Sequence, residues 1–132
     1  MIEVEDFVER LCRLGAHRGP RRFPRKPRDR EILMKSIRMQ LDPEAAYSEP
    51  ELNRVLEQWN RTIAPEIEVD TTTLRRMLVD YGELERTRDC TSYRVGYPAR
   101  PAAFDLEVEW IDLVGTVAAY RMGRKKPRRP SD

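Results

Sequence analysis

Two adjacent arginines, Arg75 and Arg76, lie in the middle of the segment TTTLRRMLVDYGELER, which begins at Thr71. Guanidinium groups form paired hydrogen bonds with a guanine edge or with phosphate oxygens. Two further threonines, Thr72 and Thr73, precede the arginines. Hydroxyl groups at the start of a helix can donate to a phosphate beside the positive end of the helix dipole. These residue types at this spacing are typical of a helix that binds nucleic acid.

The segment predicts a helix over residues 70–81. Asp70 is a suitable N-cap and Gly82 a suitable C-terminal stop. The apolar stripe that the helical period predicts consists of Leu74, Met77, Leu78 and Tyr81. Arg76 then points away from this stripe, as do Thr72 and Val79, and Arg75 lies on its flank. We therefore expect both arginines to extend outward. In the alternative, the face is only solvated, Arg76 pairs with Asp80 four residues on, and Arg75 is the freer contact.

A hairpin is predicted immediately after Gly82. The sequence ELERTRDCTSYRV indicates two short strands, 84–88 and 92–96, joined by a turn at DCT. Arg88 lies beside the turn and is suited to a phosphate contact. Ordinary edge-strand charge is the alternative for the arginines of the hairpin.

Three further helices are predicted before this unit. An apolar stripe indicates a helix over 2–14, Asp29 can cap a helix over 30–41, and Ser48 with Glu51 forms a capping box for a helix over 49–60. The helices over 30–41, 49–60 and 70–81, followed by the hairpin, have the order of a winged helix-turn-helix, in which the third helix, here 70–81, enters the major groove. We therefore expect a mainly α fold with a small β-hairpin, of the winged helix-turn-helix class.

The C-terminal part predicts an extended segment over 104–110 and a helix over 112–123 with Asp112 as its cap. Such a helix either contacts a second copy of the chain or returns onto the domain's own core. The chain is thus divided into an N-terminal helix with a basic linker over 1–22, a winged-helix-like domain over 23–97 and a C-terminal extension over 98–132.

Basic residues are concentrated in two arms, although the net charge of the chain is only +2. Residues 18–30 hold seven Arg or Lys against one Asp, and residues 121–129 hold six and no acid, whereas the region between them has more acidic than basic side chains. Such arms suit a phosphate backbone, and solvated tails are the alternative. The expected backbone contacts are Arg21, Arg22, Arg25 and Lys26 in the first arm and Arg124, Lys125 and Lys126 in the second.

From Phe23 to Val95 the chain resembles the bacterial family known as domain of unknown function 2087. The residues that carry the resemblance are Thr73, Arg75, Arg76, Leu78, Val79, Asp80, Gly82, Leu84, Arg86 and Tyr93. The resemblance implies a small bacterial helical domain that is often joined to a winged-helix repressor of the arsenical-resistance type. Only the predicted helix 2–14 and a basic arm precede the similar region, so we expect no second regulator domain.

The residue inventory predicts no enzyme, no cofactor and no metal site. His17 is the single histidine and lies in a linker rich in Gly, Pro and Arg. The two cysteines, Cys12 and Cys90, lie far apart and outside metal-binding or nucleophile motifs, which favours a reduced cytoplasmic setting. No apolar run approaches the roughly 20 residues of a membrane span.

The sequence therefore predicts a DNA-binding transcriptional regulator of the winged-helix type. Its partner would be duplex DNA, with Thr72, Thr73, Arg75, Arg76 and Arg88 as the nucleic-acid contacts and a homodimer formed through the N-terminal or C-terminal helix. The alternative is a protein-interaction module that uses the same fold without DNA and contacts its partner through Val79 and the C-terminal helix.

Overall fold

The computed structural model of the chain describes residues 1–99 and 101–125. The elements, in chain order, are α1 (Val4–Gly15), β1 (Arg21–Arg22), α2 (Pro27–Arg38), α3 (Glu49–Thr62), β2 (Ile67–Glu68), α4 (Thr71–Asp80), β3 (Leu84–Arg86), β4 (Tyr93–Val95), a 3₁₀-helix (Leu106–Trp110) and α5 (Leu113–Lys125). In these ranges the chain is mainly helical, with five α-helices and two small two-stranded sheets. The predicted mainly α fold with a β-hairpin is confirmed at this level.

A single buried cluster takes side chains from all five α-helices and from the 3₁₀-helix. Its largest member is Trp59 of α3, which is fully buried, as its position in the apolar stripe predicts. The indole Nε1 of Trp59 donates to Ser36 Oγ at 2.8 Å, and Ser36 Oγ donates to the carbonyl of Leu33 at 2.6 Å. Both polar groups are thus satisfied inside the core, as buried polar groups must be.

The two helices that matter most for the site begin at the predicted caps. Ser48 and Glu51 form the reciprocal capping box of α3, and the carboxylate of Asp70 accepts from the backbone N–H of Thr73 at 2.7 Å at the start of α4. Helix α4 ends at Asp80, and Gly82, two residues later, has a φ of +77°. Glycine adopts this left-handed conformation without strain, and it turns the chain into β3.

The hairpin forms where it is predicted, with shorter strands. β3 and β4 pair antiparallel, with Leu84 opposite Val95 and Arg86 opposite Tyr93. A further antiparallel bridge joins Tyr93 to Tyr47, which lies just before α3, through backbone hydrogen bonds of 2.7 and 2.8 Å. The hairpin is therefore attached to the segment between α2 and α3.

The first basic arm is not a free linker. Arg21 and Arg22 form β1, which pairs in parallel with β2, so that Arg21 is opposite Ile67 and Arg22 opposite Glu68. The prediction of a basic linker at the end of the segment 1–22 is wrong at this point, because backbone hydrogen bonding to the connection between α3 and α4 overrides the Pro and Gly signals on either side.

Helix α2 begins earlier than predicted, at Pro27, with Lys26 as its N-cap. Proline is well suited to the first position of a helix because its missing N–H needs no partner there. Asp29 is therefore a residue of the first turn and not the cap. Tyr81 was predicted in the apolar stripe of α4, but it is 45% exposed, and the guanidinium of Arg30 lies 4.5 Å from its ring centre.

The C-terminal part differs from prediction in its first half. The alternation in FDLEVEW predicts a strand, but residues 106–110 form a 3₁₀-helix capped by Asp105. Only Phe104 makes a β-bridge, in parallel with Ile2. Asp112 caps α5 by accepting from the backbone N–H of Gly115. Helix α5 packs against α1 of the same chain, which is the second of the two predicted alternatives. No helix in the described ranges is long and apolar enough to span a membrane.

Candidate nucleic-acid interface

Helix α4 and the hairpin together enclose a shallow polar cavity of about 230 Å³. Its lining residues come from both elements and are Thr72, Arg75, Arg76, Val79, Asp80, Arg86 and Tyr93. The structure therefore brings Thr72, Arg75 and Arg76 together with Arg86 of the hairpin, whereas the predicted contacts Thr73 and Arg88 do not line this cavity. We call the exposed surface formed by Thr72, Thr73, Arg76 and Arg86 the α4 face.

Arg75 is held inside the protein and does not extend outward. Its side chain is only 13% exposed, and its Nη2 lies 2.6 Å from Glu49 Oε1. Its Nη1 donates to Asn53 Oδ1 at 2.7 Å, and its Cζ lies 5.8 Å from the ring centre of Tyr93. The expectation that Arg75 extends outward is wrong, and so is the alternative in which it is the freer arginine, because two polar groups of α3 occupy its guanidinium. Arg75 instead ties α4 to α3 and to the hairpin.

Arg76 is the exposed member of the pair. The five ion pairs found between described residues do not include it. The predicted pairing of Arg76 with Asp80 is therefore absent from the described contacts, and the guanidinium of Arg76 remains available to a ligand. Its donors are those that recognise phosphate or a guanine edge.

The N-terminal end of α4 is shaped by Asp70. Hydrogen bonds from Thr73 are the main cause that lowers the pKa of the Asp70 carboxyl, with smaller contributions from Thr72 and from the positive charge of Arg76. Thr72 and Thr73 are exposed at this end. Their hydroxyl groups therefore lie at the positive end of the helix dipole, next to Arg76 on the following turn.

The hairpin turn is ordered by Asp89. Its Oδ1 accepts from the hydroxyl groups of Thr87 and Thr91 at 2.6 and 2.7 Å, and these hydrogen bonds lower the pKa of its carboxyl. Arg88 is exposed beside this carboxylate. Arg86 is exposed on β3, and its Nη1 donates to Cys90 Sγ at 3.4 Å. Arg86 also lines the cavity between the hairpin and α4.

The predicted arm residues fall into three groups. Arg21 and Arg22 are held in β1 by the pairing with β2, which leads directly to the start of α4. Arg25 and Lys26 are exposed just before α2. The predicted tail contacts Arg124, Lys125 and Lys126 lie outside the described side chains.

Val79 was predicted on the outer side of α4, where it would contact a partner in the protein-interaction alternative. It is half-buried and packs against the core cluster. It also lines the cavity beside Arg76. Val79 is therefore a supporting residue under the hairpin, and its exposed part is too small to form an apolar contact surface by itself.

Three residues help to position the site, although no such role was predicted for them. Glu49 and Asn53 are four residues apart on α3, on the side that meets Arg75. Tyr93 lies under the Arg75 guanidinium. The available signal was the i, i+4 spacing of two polar residues on α3, which places them on one face.

The described residues contain no group of three or more His, Cys, Asp or Glu side chains that could hold a metal ion. Cys12 is buried, and desolvation raises the pKa of its thiol. Cys90 is exposed in the hairpin turn with a φ of 60°.

A family model described as "Uncharacterized protein conserved in bacteria (DUF2087)" matches residues 21–95, which is more than half of the chain. Neither a search of curated proteins nor a search of solved structures gives a match. The matched span begins at β1 and ends at β4, so it contains α2, α3, α4 and the hairpin. The α4 face and the residues that brace it lie entirely within this span.

Proposed function

The chain belongs to this bacterial DUF2087 family, and from that premise we propose that it is a transcriptional regulator that binds duplex DNA through a winged helix-turn-helix. Helix α4 lies in the major groove, the hairpin lies beside it along the backbone, and the protein acts in the bacterial cytoplasm. Arg76 is the principal contact, supported by Thr72, Thr73 and Arg88. Arg75 does not contact DNA but holds α4 in place.

The environment of Arg76 is the main support for this proposal. Its neighbour Arg75 is neutralised by Glu49 at 2.6 Å, whereas Arg76 is exposed and forms none of the described ion pairs. An exposed arginine beside two helix-start threonines offers five guanidinium donors and two hydroxyl groups on one surface. Major-groove recognition needs these donors on a helix that is fixed to the rest of the domain.

The order of the elements supports the winged-helix part of the proposal. Helices α2, α3 and α4 precede the hairpin, and the extended segment before α3 bridges to β4 through Tyr47 and Tyr93. This bridge attaches the hairpin to the domain on the side opposite β3. A hairpin fixed in this way, adjacent to the end of α4, can lie along the DNA backbone while α4 enters the groove.

The arms would add affinity that depends on salt but not on sequence. Arg22 is placed by its pairing with Glu68, two residues before the cap of α4, so it lies near the start of the proposed recognition helix. Phosphate contacts of this type release counterions and therefore weaken as salt rises. Arg25 would contribute in the same way, whereas Arg21 and Lys26 line a separate cavity beside α1.

Fluorescence anisotropy with a labelled mixed-sequence duplex of about 30 base pairs, titrated between about 50 and 200 mM salt, tests the proposal. We expect binding that weakens steeply with salt. Arg76→Gln should weaken binding about tenfold or more, because it removes a charge-assisted contact. Arg13→Gln is the matched control, since Arg13 is an exposed helical arginine on α1, outside the α4 face. Absence of binding at low salt, or equal losses in the two variants, would contradict the proposal.

A specific observation also favours a protein-interaction module. Leu106 and Trp110 of the 3₁₀-helix are 82% and 85% exposed, and exposed large apolar side chains close together often mark protein contacts. In this alternative Trp110→Ala abolishes partner binding and Arg76→Gln does not. Val79→Asp is a poor test, because Val79 packs on the core and the change would also destabilise the fold.

A homodimer through α1 or α5 is a further part of the proposal. The buried side of α5 already packs on α1 of the same chain, so a second copy would have to use the outer side, where Val114 and Met122 are exposed. Sedimentation equilibrium measurements on the wild type and on Met122→Glu test this contact. A monomer at all concentrations would exclude it.

A further inference from the structure

A second basic surface lies on α1 and the start of α2. There the structure forms an open cavity of about 610 Å³ whose basic lining residues are Arg10, Arg13, Arg21 and Lys26, with Asp29 at one side and Tyr120 of α5 at another. We call this cavity the basic cleft. Its residues come from α1, β1, the beginning of α2 and α5, so four elements converge on it.

One of the four cations is compensated and three are not. Arg10 Nε lies 3.0 Å from Asp6 Oδ1, and Arg10 Nη1 lies 3.3 Å from Asp29 Oδ1. The hydrogen bond with Asp6 is the main cause that raises the pKa of Arg10. Arg13, Arg21 and Lys26 take part in none of the ion pairs between described residues. The cleft therefore presents three positive charges that have no carboxylate partner in this part of the chain.

The walls of the cleft are fixed by tertiary contacts. Arg21 lies in β1, and its backbone N–H donates to the carbonyl of Glu66 at 2.9 Å. The α1–α5 contact is held by Arg121, whose Nη2 donates to the carbonyl of Gly15 at 3.2 Å. A site with fixed walls binds a compact ligand at a lower entropic cost than mobile side chains do.

The start of α2 adds to the positive potential. Lys26 is the N-cap of this 12-residue helix, and no side chain caps the helix by a hydrogen bond. The backbone N–H groups of the first turn therefore strengthen the attraction of the three cations for an anion. Asp29 of the same turn offsets this potential only in part, because its carboxylate is engaged by Arg10.

We propose that the basic cleft binds a compact anion with two linked phosphate groups, such as a free diphosphate or the diphosphate of a nucleotide. Arg13, Arg21 and Lys26 supply three cations for a strongly anionic ligand, and the second carboxylate beside Arg10 offsets only one of them. A cavity of this volume falls in the range of small-molecule sites. The cleft is also larger than the cavity of about 230 Å³ beside α4, so it leaves more room for a compact ligand.

Calorimetric titration of the full chain with inorganic pyrophosphate, at about 50 mM salt to limit screening, tests this proposal. We expect saturable binding with one site per chain. Arg13→Gln and Lys26→Gln should each weaken it about tenfold, because each removes a charge-assisted contact to phosphate. Arg76→Gln is the control and should leave pyrophosphate binding unchanged. Arg13 and Lys26 are exposed, so neither change should unfold the protein.

Three results would overturn the proposal. The first is no saturable binding of pyrophosphate by the wild type. The second is an equal loss in Arg76→Gln, which would show a general electrostatic effect in place of a site. The third is displacement of pyrophosphate by duplex DNA in the Arg76→Gln background, which would mean that the cleft holds backbone phosphates. The proposed DNA binding can fail without any of these results, because it rests on a different surface.

Discussion

The α4 face and the basic cleft are both basic, but they are built in opposite ways. The α4 face is formed by residues that are close in sequence, on one helix and the adjacent hairpin. The basic cleft brings together residues of α1, β1 and α2, with α5 closing one side. The cavity beside the α4 face has a volume of about 230 Å³ and the basic cleft one of about 610 Å³, so the cleft has more room for a compact ligand.

The two surfaces share one feature. In each of them, the arginine that is available to a ligand lies beside a second arginine whose charge is neutralised by a carboxylate. Arg75 is engaged by Glu49 and Asn53 beside Arg76, and Arg10 is engaged by Asp6 and Asp29 beside Arg13. The compensated arginine holds elements together and the uncompensated one is available to a ligand. Counting basic residues along the chain cannot separate these roles, because the acidic partners are distant in sequence or on another turn.

The largest expected effect is on the free energy of unfolding. Both surfaces depend on one hydrophobic core, so a variant that unfolds loses both. Trp59→Ala should lower the free energy of unfolding by about 3–5 kcal/mol, since it leaves a large cavity and removes the hydrogen bond to Ser36. Trp110→Ala is the matched control and should change stability by less than about 0.5 kcal/mol, because Trp110 is exposed. Urea unfolding followed by circular dichroism measures both. Similar losses in the two variants would contradict the assignment of Trp59 as the centre of the core.

A smaller loss of stability is expected from a substitution in α1, which forms part of the basic cleft. A Cβ added at Gly15 would lie 2.2 Å from the carbonyl oxygen of Ile63, at the end of α3. Gly15→Ala should therefore destabilise the protein by about 1–3 kcal/mol through overpacking, and it should weaken pyrophosphate binding by moving α1. Gly123→Ala in α5 meets no atom within 4 Å and should stabilise the helix by up to about 1 kcal/mol. Thermal unfolding of the two variants gives the comparison, and a neutral Gly15→Ala would refute the close contact.

The two neighbouring arginines of α4 should differ in the property that their substitution changes, which is stability for Arg75 and DNA binding for Arg76. Arg75→Gln should lower the free energy of unfolding by about 1 kcal/mol, because it breaks two contacts to α3 that are partly exposed to solvent. Arg76→Gln should leave stability unchanged and weaken only DNA binding. Chemical denaturation and anisotropy on the same preparations test this difference. If Arg75→Gln were as stable as the wild type, the bracing role of Arg75 would be wrong.

The smallest effect concerns the cap of α4 and depends on pH. The hydrogen bonds from Thr73 lower the pKa of Asp70 in the folded protein, so the ionised carboxylate contributes stability above its unfolded pKa of about 3.9. This contribution is lost as pH falls through the lower, folded pKa. Asp70→Asn keeps a capping side chain but removes the charge. Its Tm should lie slightly below that of the wild type at neutral pH and converge with it in acid. A constant difference at all pH values would contradict the role of the charge.

Local signals in the sequence predict the surroundings of the α4 face well. The capping residues Ser48 and Asp70 and the stop at Gly82 each act within a few residues, and the structure confirms them. The basic cleft was not predicted, because nothing local relates Arg13 to Arg21 or Lys26. The pairing of β1 with β2 across more than 40 residues and the return of α5 onto α1 bring these residues together.

The two main errors have the same physical origin. The outward direction expected for Arg75 ignored the polar residues that α3 presents to it. The strand expected over 104–110 rested on apolar alternation, but Val108 is buried while Leu106 and Trp110 are exposed. In both cases the contacts of another element, which are invisible in a local window, determine which side of the segment faces the core.

Chemical-shift mapping of the labelled full chain with a mixed-sequence duplex tests the proposed DNA contact of the α4 face most directly. We expect the largest changes at the amides of Thr72, Thr73 and Arg76 and in the hairpin turn around Arg88, while the indole N–H of Trp110 and the amides around Arg13 stay unchanged. Changes concentrated at the basic cleft or at the 3₁₀-helix, with α4 unaffected, would contradict the assignment of the α4 face as the DNA-binding surface.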